Sequence, residues 1–287
     1  MRVSFRKIRL YTLLAILAGV AFWGVESWRA DHFTFAWDKP LRILVIAATD
    51  PRSNASGEVE AATIRRFLTG ETATNANLKG VERWIEREHE RLTGRHGPPL
   101  ELIAEGPFPA GGEVPILPGD EASFLTRWRA TSRFLEFFER VAREQKLVTR
   151  AYDAVLFVLF YDDEDPGRMR EQRSVAARRT RRGMVFTALD RDHMERACVL
   201  LAHELFHTLG ASDKYDGNQS LHPGGFADPD QRPLYPQENA EIMALGIPIS
   251  PIAEERVESL NECVVGAATA AEIGWSAPEL STPPNPQ

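Results

Sequence analysis

Cysteine is nearly absent from this 287-residue chain, which holds only Cys198 and Cys263. Two thiols cannot build a four-thiolate zinc site or a disulfide-rich scaffold. They leave two readings open, one disulfide in an oxidising compartment or a pair of buried thiols. A basic face is lacking too. The formal net charge is -7, and beyond the first 30 residues 29 basic side chains stand against 40 acidic ones. That balance excludes nucleic acid as a partner, because phosphate binding needs a basic surface. No internal repeat is present, which excludes solenoid and array architectures. What the chain does have is an ordinary globular composition, 43% apolar and 26% charged, with the length for one large domain or two small ones.

Arg2, Arg6, Lys7 and Arg9 precede an uncharged apolar run, Leu10 to Val25. As a helix its 16 residues would span roughly 24 Å, short of a ~30 Å hydrocarbon core. Trp23 and Trp28 at the interface, with Arg9 snorkelling, relieve that mismatch. Residues 1–28 therefore read as a single-pass inner-membrane anchor, with the cationic flank in the cytoplasm and the body on the periplasmic side. Gly19-Val20-Ala21 keeps a cleaved signal peptide open as the alternative. Residues 29–40 read as a linker, 41–278 as the folded domain and 279–287 as a Pro-rich tail.

Within the domain, Leu41–Ala48 and Ala154–Tyr161 are continuous apolar runs of the kind that form buried strands. Glu58–Leu92 is helical in character with a break near Thr69–Asn77. Leu100–Ala104 reads as a short strand, and 105–120, rich in Gly and Pro, as a loop. Glu121–Leu147 reads as a helix with Phe124, Leu125, Trp128, Phe134, Leu135 and Phe138 along it. An arginine-rich stretch over 168–182 reads as a solvated face. Met184–Leu189 is a strand leading directly into a long helix, and it offers an edge on which an extended substrate can pair. Past residue 211 the chain is irregular until a short helix over 267–275. This order predicts an α/β lobe followed by a loop-rich lobe.

The chemistry concentrates in His203-Glu204-Leu205-Phe206-His207-Thr208-Leu209-Gly210-Ala211-Ser212-Asp213. Asp192 and Glu195 fit a capping box, so the helix is expected to start near His193 and to stop at Gly210. Cys198, Leu201, Ala202, Leu205 and Leu209 then fall on one face, the core side. His203 and His207 lie one turn apart on the other, where both rings can converge on one ion. Gly210 lets the chain turn sharply so that Asp213 returns a carboxylate. Two imidazoles and one carboxylate suit a catalytic zinc with an open fourth position. Glu204 is placed to serve as the general base on a water at that position.

This H-E-x-x-H-x-x-G-x-x-D run resembles the metzincin zinc peptidases in their aspartate form, as in the snapalysin-type enzymes. The stretch from Met184 to Met243 also resembles matrixin-like bacterial proteins with an N-terminal membrane segment. The resemblance implies a zincin-like α/β (α+β) fold, with a twisted mixed sheet packed on the active-site helix. It further implies a Met-turn in the loop-rich lobe, which Glu241-Ile242-Met243-Ala244 matches with Met243 as the turn methionine. The function it implies is zinc-dependent hydrolysis of peptide bonds in a peptide or protein substrate. The chain departs from the pattern in three ways. Asp213 replaces the commoner third histidine, which leaves Asp216 and His222 as fallback ligands. Position 245 is Leu where many metzincins have Tyr, so a tyrosine assisting the oxyanion must be Tyr215 or Tyr235. No cysteine-switch propeptide is evident. A metal-dependent module that binds envelope components and a zinc hydrolase of a non-peptide bond stay open as alternatives.

Overall fold

The computed structural model describes residues 11–14, 17, 35–49, 57–71, 75–109, 123–161, 174–177, 180–188, 191–217 and 219–275. The first apolar run forms β1 (Leu41–Thr49), followed by α1 (Gly57–Thr69), α2 (Leu78–Thr93) and β2 (Leu100–Pro109). Next come α3 (Phe124–Glu144), β3 (Ala154–Tyr161), β4 (Val175–Ala177), β5 (Arg182–Ala188) and α4 (Arg191–Leu209). The remainder carries short pieces: β6 (Tyr215–Asp216), β7 (Gln219–Ser220), β8 (Ala240–Glu241), β9 (Gly246–Ser250), β10 (Ala253–Arg256), β11 (Cys263–Val264) and α5 (Ala267–Ile273).

The main sheet has the order β2-β1-β3-β5-β4. β2, β1, β3 and β5 run parallel, and β4 joins β5 antiparallel. The mixed α/β sheet expected from the sequence is therefore present. Parallel strands in its centre are covered on both faces, which is why β1 and β3 read as unbroken apolar runs. Period-two alternation then sorts their side chains. Ile43, Val45, Leu156, Val158 and Phe160 point into a core shared with α1, α2 and α4. Leu44, Ile46, Val155, Phe157 and Leu159 point into a second core closed by Phe134, Phe137, Phe138 and Val141 of α3. The segment after α4 adds Ile242, Met243, Val257, Leu260 and Ile273 to the first core.

Several expectations need correction. Among the described residues no helix is long and apolar enough to cross a membrane. That overturns the single-pass anchor and the inner-membrane, periplasm-facing location derived from it. The apolar run holds 16 residues, fewer than the ~20 that a spanning helix needs. Apart from 11–14 and 17, Leu10–Val25 lies outside the described residues, as do the expected tail and most of the arginine-rich stretch. Phe35 and Trp37, expected in a linker, pack onto the body: Trp37 Nε1 donates to the Ile273 carbonyl at 2.7 Å. β2 continues through Gly106-Pro107 to Pro109 where a loop was expected, because β1 extends beside it as far as Thr49. Leu125 is exposed rather than in the core. β5 is not the sheet edge: β4 pairs with it at Arg182, Gly183 and Met184, and the Phe186 amide donates to Ser174 Oγ.

Candidate metal centre

α4 begins at Arg191, two residues before the expected start, so Asp192 lies inside its first turn rather than at its cap. Its apolar face is as expected, with Cys198, Leu201, Ala202, Leu205 and Leu209 all buried against the sheet. The helix stops at Gly210, whose φ of 119° lies in the region that favours glycine. The amides of Gly210 and Ala211 both donate to the Phe206 carbonyl at 2.9 Å, which closes the last turn. This exit carries the chain back past its own helix. The Ala211 carbonyl meets His207 Nδ1 at 2.9 Å, and two residues later Asp213 reaches the histidines.

His203 Nε2, His207 Nε2 and Asp213 Oδ1 converge. The two nitrogens are 3.1 Å apart, and Asp213 Oδ1 lies 3.4 Å from His203 and 3.1 Å from His207. Each remaining ring nitrogen faces a backbone carbonyl, His203 Nδ1 at 3.1 Å from Ile242 O and His207 Nδ1 at 2.9 Å from Ala211 O. A carbonyl only accepts, so both Nδ1 atoms carry the proton. In the neutral rings both Nε2 lone pairs then point at each other and at a carboxylate oxygen. Three electron-pair donors so close repel one another unless a proton or a metal ion sits among them. Two atoms held at ~2.0–2.1 Å by one tetrahedral ion stand about 3.3 Å apart, which matches the spacing here. Among the described residues, these three form the group of histidine, cysteine or acidic side chains whose ligand atoms lie close enough to hold a metal. The residues fit a divalent ion, and imidazole with carboxylate suits zinc among others.

Charge follows this geometry. Burial pushes Asp213 up, but its hydrogen bonds and charge contacts with His203 and His207 outweigh that and hold it below the usual carboxylate range. Burial lowers His203, while His207 is raised because Asp213 and Glu204 overcome its burial. Glu204 is buried beside them, and burial pushes it up to about 8. Its Oε2 is enclosed with no hydrogen-bond partner among the protein atoms. This unpartnered carboxyl oxygen lies near the three converged donors, interacting electrostatically with His207 and Asp213.

Met243 lies in a tight turn over Glu241–Ala244, fully buried, and the preceding residue supplies the carbonyl that orients His203. The turn is held by the Glu241 side chain, whose Oε2 accepts from the Met243 amide at 2.6 Å and whose Oε1 accepts from Gly266 at 3.1 Å. Burial pushes Glu241 up to about 7. The Tyr215 ring stacks near His203, centroids 6.5 Å apart. The fallback residues go elsewhere. Asp216 pairs with Gln219 in a two-stranded ribbon, while His222 and Tyr235 both pack on Phe226. Neither Asp216 nor His222 joins the donor cluster. Cys198 and Cys263 are free buried thiols, so the disulfide reading is not realised. The sequence alone does not reveal Glu241, Lys214 and Glu272 as a supporting set, because the bonds from Glu241 to Gly266 and from Lys214 to Glu272 span 25 and 58 positions. Glu272 is held below its usual range: burial raises it, and Lys214 with Ser212 more than compensates.

The chain matches no protein-family model, and no curated protein matches it. A solved structure described as that of a chaperone–substrate complex aligns with 82% of this chain at 13% identity and a TM-score of 0.36. The alignment covers 34% of that neighbour's own length, and a likeness at this level carries no argument.

Proposed function

We propose that the protein is a zinc-dependent endopeptidase of metzincin type, with His203, His207 and Asp213 as ligands and Glu204 as the general base. The observation that supports this reading is the convergence of two Nε2 lone pairs and a carboxylate oxygen within 3.4 Å. The buried, unpartnered Glu204 oxygen beside them adds to it. A purely binding site has no need of such a base. A zinc ion there supplies Lewis acidity, which activates water and polarises a carbonyl group. The protein's own residues do the rest. The Ile242 and Ala211 carbonyls hold both rings in the tautomer that presents Nε2. Asp213 contributes negative charge on the more exposed side of the site. Glu204, whose Oε2 has no protein partner, takes a proton from water and returns it to the departing amine. The Tyr215 ring near His203 supports Tyr215, rather than Tyr235 with its ring on Phe226, as the tyrosine that assists the oxyanion. The turn bearing Met243 forms a firm floor under His203.

The test is cleavage of a diverse peptide pool by the zinc-loaded chain and by its Glu204→Gln variant. We expect Glu204→Gln to retain zinc and to lose a factor of about 10²–10⁴ in turnover. Equal cleavage by both proteins would remove Glu204 from the mechanism. Stoichiometric zinc with no cleavage by either would point instead to a non-peptide substrate or a binding module.

A further inference from the structure

We infer that Glu272 on α5 is a positioning residue for the Asp213 ligand, acting through Ser212 and Lys214; this rests on the metal-site reading above. The histidine ligands sit on α4, a regular helix of 19 residues. Asp213 does not. It lies on the 211–214 stretch, which belongs to no helix or strand, and its side chain is 46% exposed. A ligand in that setting must be fixed from outside.

Both neighbours of Asp213 are fixed by one carboxylate. Glu272 Oε2 accepts from the Ser212 amide and Oε1 from the Ser212 hydroxyl, each at 2.8 Å. Lys214 Nζ donates to both Glu272 oxygens at 2.7 Å and to Ser212 Oγ at 2.7 Å. The Lys214 amide also donates to the Met243 carbonyl at 3.0 Å, tying the loop to the turn behind His203. Asp213 is therefore the middle residue of a stretch held on both sides. Lys214 is buried, and a buried ammonium needs a counter-charge, so removing Glu272 disturbs both anchors at once. Outer-shell partners of metal ligands typically carry a factor of about 10–100 in metal affinity.

The experiment measures zinc affinity of the full chain by competition with a chromophoric chelator, beside thermal unfolding of the metal-free proteins. Glu272→Ala is expected to weaken zinc binding about 10–100-fold, with Glu272→Gln and Ser212→Ala weakening it by less. Glu255→Gln, on the exposed β10 strand, serves as the unchanged control. A merely structural role predicts the opposite split, with lower unfolding temperatures and unaltered zinc affinity in every folded variant. That result would overturn the inference. If Glu272→Ala fails to fold, Glu272→Gln and Ser212→Ala still decide it. Failure of the parent chain itself to bind zinc would remove the metal site and this inference together, and is distinguishable because it appears without any substitution.

Discussion

Cys198 stands on the core side of α4, its Sγ 3.8 Å from the Asn77 carbonyl, and burial pushes the thiol up to about 12. At pH 8 that leaves on the order of one thiolate in 10⁴, and only the thiolate reacts with an alkylating reagent. Burial pushes Cys263 up as well. Native protein incubated with iodoacetamide at pH 8 is expected to show neither cysteine modified by mass spectrometry, and both modified after denaturation. Labelling of Cys198 in the native state at the rate of a free thiol would contradict this placement. At the same scale, His203, Glu204 and His207 were legible in the sequence because helix geometry alone brings residues i and i+4 together. Asp213 was legible only through Gly210, which signals a sharp exit. The long-range bonds of Glu241 and Glu272 were not legible, because they reach Gly266 and Ser212, 25 and 60 positions away, and no local pattern encodes that.

The exit from α4 is where an element's end decides the geometry of the site. Gly210 has φ of 119°, which an alanine tolerates poorly. Gly210→Ala is expected to cost roughly 1–3 kcal/mol of stability, read as a lowered urea midpoint in the metal-free protein, and to weaken zinc binding by moving Asp213. An unchanged midpoint would mean the turn relaxes without strain. Among the elements, β1 and β3 were readable because strands covered on both faces leave continuous apolar runs. The break between α1 and α2 was readable from the Asn and Thr between them, and Asn77 caps α2 by accepting from the Gly80 amide. β4 escaped notice because three residues paired at an edge leave no periodicity. The length of β2 escaped because its partner, not its Gly- and Pro-rich composition, extends it.

For the molecule as a whole, His89 is one of the groups through which pH acts. It is buried on α2 between Trp37 and Trp275, with ring centroids 6.2 and 5.1 Å away. Burial, with the charge of Arg95, lowers its pKa below 6.5. The unfolded chain therefore takes up this proton first, at about pH 6.5. The stabilisation from keeping His89 neutral is fully present above that pH and is lost as pH falls toward the folded pKa. Between pH 8 and 5 the urea midpoint of the parent is expected to decline relative to that of His89→Phe, because the raised carboxyls of Glu204 and Glu241, which act in the opposite direction, are common to both. A variant that declines as steeply as the parent would assign the effect to other groups. At this scale the α/β class was legible, whereas strand order was not, since adjacency is set by how the layers close.

Trp37 and Trp275 meet at 5.4 Å, and Trp275 in turn touches Phe206 of the helix that carries the histidines. Two distant stretches of the described body thus meet each other as well as the rest of the fold, and they are expected to open as one cooperative unit. Trimming by a protease at one of them would loosen the other, and would take away support from the back of the metal-bearing helix.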